Sequence, residues 1–255
     1  MELTVLGSGT AVPHPKRSSA GFWLGTTGGT VMLDLSSSSP LRMAQEGLDW
    51  PNLDAIWISH FHTDHCAGLS PFLFATHAAP ETIERTKPLR ILGAPGLRRL
   101  VEHLDIASGN KLLHQPFPVD IIEIAPLEPF QILPNVEAVA YSTPHTTDSH
   151  AIHVRDGDST LVYTSDTGFD EALATFARRV DLFVVESSFV KNKPVEKHLE
   201  LAETIRLVRM AEPVRALITH FYAEWDDVDF AAEVRKLEPR CEVIQAFDGL
   251  RLAVN

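Results

Sequence analysis

The run Ser59-His60-Phe61-His62-Thr63-Asp64-His65 places three imidazoles and a carboxylate within six positions. Neutral imidazole nitrogens and carboxylates are the ligands that zinc and neighbouring divalent ions take. The run closes an apolar stretch, residues 55–59, that reads as a strand. In an extended continuation His60 and His62 point the same way, because side chains two apart share a face. Asp64 and His65 begin a helical turn and can face a second ion. The chemistry this spacing suits is that of a divalent-metal centre.

Later residues of the same types are ordinary when read alone. His145 and His220 stand at strand ends, and Asp166 precedes Thr167-Gly168 as a turn residue would. His14, His150 and His153 and the aromatics Phe221, Tyr222 and Trp225 are candidates to face a pocket, although surface or core roles are the commoner ones for such histidines, and core or dimer contact for such aromatics. Gly7-Ser8-Gly9 is too short for a dinucleotide-binding loop, and no helix pattern opens behind it. Cys66 follows the histidine run, where metal chemistry rather than thiol attack is expected, and Cys241 reads as structural.

The pattern His-x-His-x-Asp-His after a strand resembles the metallo-β-lactamase superfamily, and the remainder of the chain is most similar to its ribonuclease Z branch. The opening Met1-Glu2-Leu3-Thr4-Val5-Leu6-Gly7-Ser8-Gly9-Thr10 looks like that branch's first strand and glycine loop. Asp34 matches its structural aspartate, Pro144-His145 its third-histidine motif, Thr164-Ser165-Asp166-Thr167 its bridging-aspartate turn, and Thr219-His220-Phe221 its last ligand motif. Glu186-Ser187-Ser188-Phe189 resembles the motif whose glutamate supports a histidine, here His198. Three departures stand out: Leu35-Ser36 replaces the usual Cys-Gly, Ser165 the usual Gly, and Leu199-Glu200 the usual Ser-Thr. The resemblance implies an α+β fold, a four-layer αββα sandwich. It also implies one ion on His60, His62 and His145, a second on Asp64, His65 and His220, and Asp166 bridging both. Asp64 would orient the attacking oxygen, His198 would protonate the leaving oxygen, and Glu186 would fix the tautomer of His198. The implied ions are zinc, with manganese or iron as substitutes, and the implied assembly is a homodimer.

Elements able to position these residues follow from the hydrophobic pattern. Strands are expected at residues 2–6, 20–24, 30–35, 55–59, 89–92, 120–124, 136–142, 151–154, 160–164, 182–186, 214–219 and 242–246. Helices are expected at 66–76, 95–104, 170–178, 197–210 and 228–237. In the fourth helix His198, Leu201, Ala202, Ile205 and Val208 would share one face. The serine run Ser36–Ser39 reads as a polar turn, and the prolines between 115 and 134 as loop prolines within one domain spanning 1–255.

Composition bounds the activity. The chain has 255 residues, two cysteines and a net charge of −12. No disulfide framework, signal peptide or membrane span is read from it, so a cytoplasmic protein is expected. The acidic balance argues against a large nucleic-acid surface, since neutralising phosphates supplies most of such affinity. The interval between His145 and Asp166 leaves no room for the long arm with which ribonuclease Z members clamp tRNA. The expected function is therefore hydrolysis of a small phosphodiester by a metal-bridging hydroxide. The alternatives are lactone, sulfate-ester or thioester hydrolysis, tRNA 3′ processing, and a non-catalytic metal-binding regulator.

Overall fold

Alternate residues of the central strands enter two different apolar cores. In the strand Ala55–Ile58, Ala55 and Trp57 belong to one buried cluster, and Ile56 and Ile58 to another. The same division separates Val31 and Leu33 from Met32. This is the two-residue period of strands buried on both faces. A computed structural model describes residues 1–255.

In chain order the strands are β1 (Glu2–Gly7), β2 (Gly21–Thr26), β3 (Gly29–Leu33), β4 (Ala55–Ile58), β5 (Leu89–Gly93), β6 (Val119–Glu123), β7 (Pro129–Leu133), β8 (Val136–Ser142), β9 (His150–Asp156), β10 (Ser159–Tyr163), β11 (Leu182–Glu186), β12 (Arg215–Thr219), β13 (Glu242–Gln245) and β14 (Arg251–Ala253). The helices are α1 (Ser39–Gln45), α2 (Thr63–Cys66), α3 (Leu69–Ala78), α4 (Leu97–Ala107), α5 (Glu171–Phe176), α6 (Leu201–Ala211) and α7 (Phe230–Lys236). Two seven-stranded sheets form, in the orders β14-β1-β2-β3-β4-β5-β6 and β13-β12-β11-β10-β9-β8-β7. A cluster of 42 buried residues fills the space between the sheets and continues under α6 and α7. A second cluster, of 18 residues, packs α1, α3 and α4 on the outer face of the first sheet. The result is the expected α+β, four-layer αββα sandwich. No helix is long and apolar enough to cross a membrane.

Within each sheet one run of strands is parallel, β3 to β6 in the first and β10 to β13 in the second. Their carboxyl ends lie on one edge of the sandwich, where loops of an α/β sheet gather binding residues.

Several elements depart from the sequence pattern. The serine run is not simply a turn, because Ser39 opens α1 with a proline in its first turn. The helix expected at 66–76 is two helices, α2 and α3, broken beside Gly68. A Cβ there would collide with the Ser36 carbonyl oxygen, so the close approach requires glycine and interrupts the helix. The helix expected at 197–210 begins only at Leu201. Phe189 donates its amide to the Leu199 carbonyl and accepts from the Leu201 amide, which holds the preceding segment in a strand-like bridge. His198 therefore stands before α6 and not on its apolar face. Two edge strands, β7 and β14, escape the pattern. The first opens with a proline, a residue tolerated only at such positions, and the second has three residues.

Candidate metal centre

Every residue of the candidate site follows the carboxyl end of a strand or opens the next element. Asp34 follows β3, Ser59 and His60 follow β4, and His145 lies beyond β8. Ser165 and Asp166 follow β10, Glu186 ends β11, and His220 follows β12. Asp34, Ser165 and His220 have left-handed backbones, with φ of 57°, 54° and 64°. Such values cost energy for residues other than glycine, and they concentrate where surrounding contacts over-determine the backbone. Gly168 donates its amide to the Pro144 carbonyl oxygen at 3.1 Å, which brings the His145 loop against Asp166.

The Asp166 carboxylate divides the donors into two groups. Its Oδ2 faces His60 Nε2 at 3.8 Å and His145 Nε2 at 3.6 Å. Its Oδ1 faces His65 Nε2 at 3.2 Å and His220 Nε2 at 3.1 Å. His62 joins the first group, its Nδ1 lying 3.1 Å from His145 Nε2. Asp64 joins the second, its Oδ2 lying 3.5 Å from His65 Nε2 and 3.8 Å from His220 Nε2. The two groups are thus His60, His62, His145 with Asp166, and Asp64, His65, His220 with Asp166. This is the division expected from the sequence resemblance. His62 is exposed and Asp64 half-buried, so the centre opens to solvent on their side.

Hydrogen bonds at the far ring nitrogens fix which nitrogen of each histidine is free. His65 Nδ1 donates to Asp34 at 2.6 Å and His145 Nδ1 to the Lys197 carbonyl at 2.9 Å. Ser188 gives its proton to Glu186 at 2.6 Å and accepts from His220 Nδ1 at 2.9 Å. In each ring Nδ1 is bonded outward, and Nε2 is the nitrogen aimed into the centre. The Nε2 atoms of His60, His65 and His220 and Asp166 Oδ1 are buried with no hydrogen-bond partner. Unpartnered buried polar atoms facing one another are unfavourable, and a divalent cation within each group would satisfy them. The residues present therefore fit a metal centre, and imidazole with carboxylate suits zinc and its neighbours.

The electrostatics agree. His60 is pushed down to about 3, first by burial and then by the neighbouring His65, which keeps it neutral as a ligand must be. Burial also opposes charge on His65, but Asp166 and Asp34 overcome it and hold its pKa well above the ordinary histidine value. For Asp64, burial works upward, yet the neighbouring His220 and the charge of His65 bring it down to about 2. The second group thus draws positive charge strongly.

His198 stands outside both groups and before α6 rather than on it. Its Nδ1 donates to Glu186 Oε1 at 2.9 Å. Burial lowers its pKa, but the Glu186 hydrogen bond and charge outweigh it and raise the value. Glu186, His198, His220 and Asp166 also cluster closely enough to suggest a third cation position. Glu186 excludes it, because its oxygens already accept from the Thr167 amide, the Ser188 amide and hydroxyl, the Leu199 amide and His198. Glu186 also does more than expected from sequence, since through Ser188 it backs His220 as well as His198.

Other sequence candidates fall elsewhere. Phe221 and Trp225 are buried and pack on each other and on Phe230, so they belong to the core rather than to a pocket rim. Only Tyr222 is half-buried, stacked on Phe189 at 4.9 Å, with Phe189 in turn beside His198. His14 pairs with Asp226 at 3.0 Å, His153 packs on Phe176, and His150 is buried beside Asp148. Burial pushes the Cys66 thiol up to about 11, which removes it as a nucleophile at neutral pH. The sequence pattern assigns no role to Ser59, Tyr163 or Asp148. Ser59 and Tyr163 both bond Asp34, and Asp148 accepts the Phe61 amide at 2.8 Å inside the histidine run.

A family model described as "Anti-Pycsar protein Apyc1" matches residues 1–233. The mitochondrial ribonuclease Z 2 of Schizosaccharomyces pombe is 25% identical over 261 residues, covering 98% of this chain. The chain spans only 38% of that relative's length. The metallo-hydrolase YhfI of Bacillus subtilis is 24% identical over 222 residues, 86% of each chain. Its crystal structure, of a metallo-β-lactamase fold protein, superimposes with a TM-score of 0.81 at 22% identity, covering 98% of both chains. The short form of human tRNase Z superimposes with a TM-score of 0.78 at 18% identity, covering 100% of both.

Proposed function

The chain belongs to the Anti-Pycsar protein Apyc1 family, in the ribonuclease Z-like branch of the metallo-β-lactamase superfamily, and on that premise we propose that it is a dinuclear metal-dependent hydrolase of a small phosphodiester. The observation that carries the reading is the Asp166 carboxylate, each oxygen of which faces a separate set of donors, with the His198–Glu186 pair left outside both. His60, His62 and His145 would hold one ion, Asp64, His65 and His220 the other, and Asp166 both. Such ions, when bound, would lower the pKa of a water to about 7 and neutralise charge on a phosphoryl group.

The protein's own groups supply the rest. Asp64, ionised down to about pH 2 and half-buried at the opening, accepts a hydrogen bond from the attacking water and fixes its direction. As the phosphorus–oxygen bond to the leaving group breaks, the electron pair stays on the leaving oxygen and His198 Nε2 delivers a proton to it. Glu186 holds the ring by its Nδ1 proton and, by raising the pKa, enlarges the protonated fraction near neutrality.

Two features of the chain favour a small substrate. The net charge is −12, and between His145 and Asp166 the chain makes only the β9–β10 hairpin, with no clamp for a polynucleotide. The ribonuclease Z relatives support phosphodiester chemistry; the acidic surface supports a small substrate. The test is turnover of the zinc- or manganese-loaded protein on an aryl phosphodiester, a lactone, a thioester, an aryl sulfate and a pre-tRNA. The phosphodiester should be cleaved fastest and pre-tRNA bound weakly. Efficient, salt-sensitive tRNA cleavage, or faster turnover of any other ester, would overturn the proposal.

A further inference from the structure

We propose that Ser165 is a positioning residue for the metal centre, holding His60 through Ser59 in the tautomer that offers Nε2 to an ion. The inference rests on the dinuclear reading above, and it concerns a residue at which this chain departs from the glycine usual in the branch it resembles.

The argument begins at Asp34, which can only accept. Its Oδ1 takes the Ser59 amide at 2.7 Å. Its Oδ2 takes His65 Nδ1 at 2.6 Å, the Tyr163 hydroxyl at 2.7 Å and the Ser59 hydroxyl at 2.8 Å. The single proton of Ser59 is therefore committed to Asp34, and its two lone pairs remain. One faces Ser165 Oγ at 2.6 Å, the other His60 Nδ1 at 3.1 Å. Ser165 must then donate to Ser59, and His60 must carry its proton on Nδ1. Ser165 Oγ also lies 3.4 Å from His60 Nδ1, so the imidazole N–H points between two serine oxygens. Asp34, Ser59 and His60 are fully buried and Ser165 is 2% exposed, so no water competes for these positions.

The same carboxylate thus addresses one ligand of each ion, His65 directly and His60 through Ser59. Tyr163 comes from the second sheet and Asp34 from the first, so the network also crosses the sandwich. The backbone at Ser165 is left-handed, with φ of 54°, a conformation in which glycine carries no steric penalty and serine does. What serine adds in exchange is a hydroxyl, and all of its bonds run to the residues that orient His60.

The test is zinc titration of the metal-free protein in competition with a chelator, alongside thermal unfolding of the same metal-free samples. Wild type should take up two ions. Ser165→Gly and Ser165→Ala should each weaken one of them by about 10-fold or more, within the ~10–100-fold that loss of an outer hydrogen-bond partner costs. His62→Ala, which removes a donor of the first group alone, assigns that ion. The other ion should shift by less than about 3-fold. In Ser165→Gly, relief of the left-handed backbone offsets the lost hydrogen bond, so the metal-free melting temperature should stay within ~4 °C of wild type. Ser165→Ala keeps the strain, loses the bond and should melt lower than the glycine variant. Unchanged affinity for both ions in the two variants overturns the proposal alone. So does parallel weakening of both ions with a collapse in melting temperature, which marks a structural role. A wild type that takes up no zinc overturns the metal reading and the proposal together.

Discussion

Around Asp166, no donor of the first group touches a supporting carboxylate directly: His60 reaches Asp34 only through Ser59, and His145 rests on the neutral Lys197 carbonyl. On the other side His65 rests directly on the Asp34 carboxylate, and His220 rests on Glu186 through Ser188. The second group also contains a carboxylate of its own, Asp64. A carboxylate behind an imidazole raises its basicity as a ligand, and each added anion strengthens the hold on a divalent cation. The two donor groups are thus unequal although built from similar residues. The second should bind first and exchange slowly, while the first, with exposed His62 at its edge, should load last.

The largest effect should come from removing what the two groups share. Asp166→Ala should weaken both ions by more than ~100-fold, beyond the range for an outer partner. Loss of one ion only, by chelator competition, would show that the carboxylate serves a single site.

His198→Ala should leave both ions in place and reduce turnover by ~10²–10⁴-fold for a phosphodiester with a poorly leaving alkoxide. A nitrophenolate leaves without a proton, so its ester should lose clearly less. An equal loss across leaving groups, or a missing ion, would place His198 among the ligands and dissolve the boundary between the acid and the second group.

Asp34→Asn and Glu186→Gln probe the carboxylate backing itself; each should weaken the second ion by ~10–100-fold, and Asp34→Asn, which also stands behind Ser59, should weaken the first by less. Glu186→Gln carries a further signature. His198 must be protonated to act, so turnover of the alkoxide ester falls as pH rises through its pKa. Burial lowers that pKa and Glu186 raises it above the ordinary value, so without the glutamate charge the alkaline fall should begin at lower pH. An unmoved limb in the pH–rate profile would contradict the assignment.

The smallest effect belongs to the first group. Asp148→Ala removes only the acceptor of the Phe61 amide, between His60 and His62, and should weaken the first ion by less than ~10-fold. A larger loss would mean that this loop, not the serine network, is the chief support of that site.

The difference between what sequence reveals and what it hides follows the same division. The donors are legible because four of them crowd into one run and the others end apolar strands. Their supports are not. The Tyr163–Asp34 bond spans 129 residues and the Ser59–Ser165 bond 106, separations at which no local pattern pairs them. His198 looked helical because its position is in phase with the apolar face of α6, yet the Phe189 bridge holds it in an extended segment. The break at Gly68 was hidden for a related reason, since it depends on the approach of Ser36 from another loop. Phe221 and Trp225 fit a pocket rim or the commoner core role, and the packing against Phe230 decides for the core.

The central claim is that two ions, not one, make the centre competent. Metal-free protein should be reconstituted with zinc in steps from zero to beyond two equivalents, with turnover of an aryl phosphodiester followed at each step. The unequal sites predict that the first equivalent fills the Asp64–His65–His220 group with little gain, and that activity rises with the second equivalent and then levels. Full activity after one equivalent, or activity independent of added metal, would contradict the account.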